Sequence, residues 1–138
     1  MHRTVIMLTL ALVVGIAVGM LGNQVLNAQQ EPIKRTVLLK TDLAGIEGKE
    51  AVVVLAEIAP GMAAGKHIHP GDELFYILEG SIILEQEGKP PVTLKAGDTG
   101  HNPAKLPHDA KNVSTTAPVK AVVVYIVEKG QPLATAVK

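Results

Sequence analysis

Residues 61–80 read Gly61-Met62-Ala63-Ala64-Gly65-Lys66-His67-Ile68-His69-Pro70-Gly71-Asp72-Glu73-Leu74-Phe75-Tyr76-Ile77-Leu78-Glu79-Gly80. Strand side chains alternate with a period of two, so His67 and His69 leave an extended segment on the same face. Pro70-Gly71 marks a turn, and Glu73 opens the next apolar run. A hairpin at that turn folds the Glu73 carboxylate back beside both imidazoles. A third candidate, His108, follows another turn rich in Gly and Pro. Three imidazoles and a carboxylate form a nitrogen and oxygen donor set suited to a first-row divalent metal. The chain contains no cysteine, so no thiolate enters such a site.

Working outward, the 138 residues suffice for one domain. There is no Trp, one Phe (Phe75) and two Tyr (Tyr76 and Tyr125), so the core must be built from Val, Ile, Leu and Ala. Thirteen basic residues balance thirteen acidic ones and are scattered singly, which argues against nucleic acid as a partner. The N-terminus differs from the rest. His2 and Arg3 precede an apolar run from Val5 to Leu21, and no acid appears before Glu31. That is the pattern of an export signal, with Ala28 a candidate cleavage site, or of a retained membrane anchor. It predicts a protein in the periplasm, or anchored to the inner membrane and facing the periplasm. Cleavage removes Arg3 and no acid, leaving the exported chain with 12 basic and 13 acidic residues, a net charge of −1.

After a short polar stretch around Pro32, aliphatic and β-branched runs alternate with turn signals. They span 36–40, 50–59, 74–78, 81–87, 92–95 and 119–128. Their shortness, the Gly and Pro between them and the lack of helical periodicity predict an all-β sandwich or barrel. Closing or facing the sheets would also protect exposed strand edges. The last residues, 130–138, carry no core pattern and are expected to be loose or to pair with a second subunit.

These residues resemble the two sequence motifs of the cupin superfamily. Gly61, His67, His69, Glu73 and Gly80 occupy the fixed positions of the first motif, and Gly97, Pro103, His108 and Asn112 occupy four positions of the second. The match runs from about Lys49 to Lys129. The resemblance implies a cupin jelly-roll β-barrel of six to eight strands, often dimeric. It also implies that His67, His69, Glu73 and His108 converge on one metal ion in the lumen. Residues 1–28 are then the signal peptide or anchor helix, 29–48 a linker and first strand, 49–129 the barrel and 130–138 a tail.

Two positions depart from the family pattern. Lys105 stands where the second motif has Gly, and would be strained if that turn requires a positive φ. His101 stands where many cupins place an apolar or aromatic residue facing the pocket. It is read either as a general acid/base beside the metal or as a histidine at the barrel mouth bonded to a neighbouring carbonyl.

The functional expectation is a metal-dependent enzyme of dioxygenase, decarboxylase or isomerase type acting on a small organic molecule. The alternative is a non-catalytic periplasmic module that binds a metal or small ligand. Fe, Mn or Ni is the favoured ion, with Zn, Co or Cu compatible with the same donors. Glu73 would serve as ligand and, on detaching, as a base; with His101 it makes up the candidate catalytic pair. Phe75 and Ile77 share its face by period and are expected to line the pocket. Arg35, the one arginine after the leader, lies in the N-terminal segment, so no guanidinium clamp is expected near the metal. Membrane contact would come only through an uncleaved N-terminal segment, and a homodimer is the expected assembly.

Overall fold

The computed structural model describes residues 31–138. The predicted signal or anchor helix and the Ala28 cleavage site lie outside them. The described residues contain no helix, and the all-β cupin jelly roll expected from the sequence is what they form. Ten strands make two antiparallel five-stranded sheets. The first sheet runs β1 (Ile33–Asp42), β2 (Lys49–Ile58), β9 (Val119–Glu128), β4 (Asp72–Glu79) and β7 (Thr99–Asn102). The second runs β10 (Thr135–Ala136), β3 (His67–Ile68), β8 (His108–Asn112), β5 (Ser81–Gln86) and β6 (Val92–Lys95).

Alternation builds the core. On β2, Val52, Val54, Ala56 and Ile58 are buried while the residues between them are half-exposed. On β4 the buried set is Glu73, Phe75 and Ile77. These pack with Val123, Tyr125 and Val127 of β9 and, across the interior, with Ile82 and Leu84 of β5. Burying an aliphatic side chain as completely as Ile77, which is 0% exposed, contributes about 1.5–3 kcal/mol. The apolar run 122–127 therefore does not mark a strand buried on both sides. One of its faces enters the core, and the other is half-exposed on the outside of the sheet.

The strands predicted from aliphatic runs are present with shifted ends. β1 is ten residues long rather than the short run 36–40, because its partner β2 extends it through polar residues in both directions. β7, β8 and β10 were not read as strands, and β3, read as extended, pairs with β10 and β8 instead of forming the expected hairpin with β4, which lies in the other sheet. Each is short, and three of the four carry the polar residues His67, His101, Asn102, His108 or Asn112. The tail is not loose: β10 pairs with β3 of the same chain, Thr135 opposite Ile68 and Ala136 opposite His67.

Candidate metal centre

His67 and His69 descend from β3 and the residue after it, and both are buried. The turn that follows must pass close to β9. A Cβ at Gly71 would stand 1.9 Å from the carbonyl oxygen of Ile126, so only glycine fits this approach. Beyond the turn β4 begins, and its second residue is Glu73. His108 opens β8 directly opposite His67. The ligand-type atoms of the three histidines lie within 4.8 Å of one another. Glu73 Oε2 stands 3.2 Å from Nε2 of His69 and 3.2 Å from Nε2 of His108. Four residues that the sequence assigned to one site are thus brought together, drawn from both sheets.

Backbone carbonyls set the orientation of each ring. Nδ1–H of His67 donates to the Gly65 carbonyl at 2.6 Å, that of His108 to Leu106 at 2.9 Å, and that of His69 to Leu133 at 2.5 Å. Nε2 is therefore left as the free lone pair. The Nε2 atoms of His69 and His108 are buried without a hydrogen-bond donor. Two lone pairs and a carboxylate oxygen facing one another repel unless a positive charge sits among them. Donors at about 2.1 Å from a metal and at right angles lie roughly 3.0 Å apart, close to the spacing found. The donor set and its orphaned acceptors fit a divalent transition metal.

Electrostatics support this arrangement. Burial alone would raise the Glu73 carboxyl. The His108 and His69 rings, when they carry a proton on Nε2 as well, and the Asn102 amide overcome that and hold it well below the usual carboxylate range. His67 is lowered to about 4, by burial first and then by His108, His69 and Arg35, against the opposing bond to Gly65. Both groups are in the form a cation needs near neutrality. The Tyr125 phenol, whose ring centre is 4.8 Å from that of His69, is raised by burial and by the Glu73 charge, and stays protonated.

Several supporting residues were not read from the sequence. Asn102 of β7, paired with Glu73 in register, donates from Nδ2 to Glu73 Oε2 at 2.6 Å. Its Oδ1 accepts from Gln86 Nε2 at 2.6 Å, so Gln86, Asn102 and Glu73 form a relay of fixed polarity. Leu133 packs its side chain against the core and turns its carbonyl to His69, a contact no side-chain pattern could reveal. Asn112, a fixed position of the family motif, serves structure: its Nδ2 donates to the carbonyls of Ile58, Ala59 and Ala117. Lys105 does adopt the positive φ, 62°, and its N–H donates to the His69 carbonyl at 2.9 Å.

Two residues lie elsewhere than expected. His101 pairs with Leu74 on the outer face of the first sheet. It is exposed, its Nε2 is 3.0 Å from Asp72 Oδ1, and the structure does not bring it to the histidine cluster. The pleat explains this, since its neighbour Asn102 takes the inward position. Arg35, set apart from the pocket on sequence grounds, is corrected in the opposite sense. The pairing of β1 with β2 carries it onto the wall of a partly open cavity of about 50 Å³, together with His67, Glu73, His108 and Tyr125. The rest of that wall is apolar, including Phe75 and Ile77 as expected.

A jelly-roll barrel with a three-histidine, one-carboxylate cluster in its interior defines a class of small metal-binding β proteins. Residues 54–125 match the sequence pattern of the cupin domain (Cupin_2), more than half of the 138-residue chain. The protein belongs to the cupin family. Among solved structures it is similar to a cupin superfamily protein of Desulfitobacterium hafniense DCB-2 (TM-score 0.58, 18% identity, 74% of this chain and 84% of that one). A conserved protein with a double-stranded β-helix domain from Klebsiella pneumoniae subsp. pneumoniae MGH 78578 is also similar (TM-score 0.61, 24% identity, 81% and 90%). So is the DMSP lyase DddQ of Ruegeria pomeroyi DSS-3 (TM-score 0.59, 24% identity, 76% and 51%), of which this chain spans about half the length. Such likenesses show the fold. No curated protein matches the chain by sequence.

Proposed function

We propose that the protein is an exported cupin metalloenzyme that holds one divalent transition ion through His67, His69, His108 and Glu73 and converts a small organic molecule. The observation that carries this reading is the buried convergence of lone pairs, without donors, at one end of an apolar cavity. A bound ion would supply Lewis acidity or, for Fe, Mn or Ni, oxygen chemistry of the dioxygenase type. The chain's own residues then have defined parts. The histidines present oriented lone pairs, Asn102 keeps Glu73 in place, Phe75 and Ile77 exclude water, and Tyr125 keeps its proton. Dioxygenase, decarboxylase and isomerase reactions all remain consistent with this set. Export rests on His2, Arg3 and the apolar run Val5–Leu21.

A second reading, a non-catalytic binding module, is favoured by one observation. Apart from the ligand-type groups, the polar residues on the cavity wall are a fixed guanidinium and a tyrosine held protonated, neither of which changes charge near neutrality. Elemental mass spectrometry on protein expressed from the full sequence tests the metal centre. About one equivalent of metal per chain is expected, and a sharp loss in His67→Ala and His108→Ala. Metal content unchanged in both variants would sink the assignment. Oxygen uptake or product formation across a panel of small organic acids and phenols separates enzyme from binder.

A further inference from the structure

Arg35 is a charged group on the cavity wall that the histidine cluster does not use. It stands on β1 opposite Ala56, a buried residue of the inner face of β2, and its side chain leaves the strand toward the interior. Its guanidinium lies beside the Tyr125 phenol and its charge acts on His67. Nε is buried and has no hydrogen-bond partner. Among the described residues no carboxylate forms an ion pair with it. The acid on the same wall, Glu73, accepts from the Asn102 amide and faces the histidine cluster.

A guanidinium keeps its charge under all ordinary conditions, and although Arg35 is only half-buried, its Nε faces the chamber without a partner, which is costly. A divalent ion on one carboxylate and three neutral imidazoles would add one further net positive charge to the same chamber. Two positive centres then face a space lined otherwise by carbon. A ligand of negative charge entering the chamber would neutralise them. Phosphate and sulfate need donors on every side, and this wall offers one guanidinium and one phenol. A carboxylate matches the flat fork of Arg35, and an aliphatic body matches Ile58, Phe75 and Ile82. At about 50 Å³ the cavity has room for roughly three to five water-sized groups.

We propose that Arg35 anchors the carboxylate of a small aliphatic acid whose other end lies at the His67–Glu73–His108 cluster. This deepens the proposed function and rests on reading the cavity as the chamber beside a metal centre.

The test is isothermal titration of propionate and of its neutral isostere propionamide into protein expressed from the full sequence. It is run on wild type, Arg35→Met and Arg35→Lys, with and without metal. Wild type is expected to bind propionate at least ten-fold more tightly than propionamide. Arg35→Met should abolish that preference, and Arg35→Lys should keep part of it. Equal binding of acid and amide to wild type, or no binding of propionate, would overturn the proposal whatever the variants do. So would a preference that survives in Arg35→Met and disappears with the metal, since the ion would then hold the carboxylate. A chain that takes up no metal but keeps an Arg35-dependent preference would refute the metal centre and leave the anchor standing.

Discussion

Lys105 shows how one residue can retain a family's backbone while departing from its sequence. Its φ of 62° belongs to the left-handed region, where the Cβ of an L-residue meets the following carbonyl. The N–H bond to His69 requires that conformation, so the turn keeps it at a cost. Lys105→Gly is expected to stabilise the fold by ~0.5–1 kcal/mol, the relief of strain less the entropy glycine adds to the unfolded chain. A shift of the urea midpoint to lower concentration would contradict this. His67 gives the pH dependence. Its unfolded pKa is near 6.5 and its folded value about 4, so the unfolded chain binds the proton first as pH falls. The melting temperature of the metal-free protein should be level above pH 6.5 and decline from there toward pH 4, as read by circular dichroism. At this scale the His-x-His spacing made the donor set legible. Asn102 and Arg35 were not, because their importance comes from which strand lies beside them.

The elements divide in the same way. β2, β4, β5, β6 and β9 could be read as alternating or aliphatic runs, since their own side chains bury the core. β8 is held by β5 and β3, and β10 by β3 alone, and no window of sequence holds those pairings. The tail is the clearest instance. Its run after Lys129 looks unpatterned, yet Leu133 accepts from His69 and the Val137 N–H donates to the Lys66 carbonyl. Deleting residues 131–138 removes the partner that fixes the His69 tautomer. Loss of such a supporting contact weakens a metal site by about 10–100-fold. That drop should appear in competition titrations against a chelator, and an unchanged affinity would deny the tail its part.

At the scale of the molecule, the outer face of the first sheet exposes large apolar side chains. Leu74, Tyr76 and Leu78 are 42%, 46% and 43% exposed, and Leu74 and Tyr76 lie opposite Val124 and Val122 of β9. A contiguous apolar face of this kind suits a self-complementary contact, and a homodimer is expected in light scattering. Tyr76→Lys should yield monomers with unchanged metal content, because Tyr76 points away from Glu73; a monomeric wild type would end the idea. The interior makes a different demand. Glu73 belongs to one sheet and His67 and His108 to the other, and the chain has no cysteine with which to join them. An ion held among these residues is therefore a cross-link, clasping two layers that otherwise adhere through apolar packing and a few hydrogen bonds such as Gln86 to Asn102. Chelation should lower the melting temperature and open the barrel along that seam. Amide exchange should quicken first in β3, β8 and the start of β4, while the hairpin of β1 and β2 stays closed.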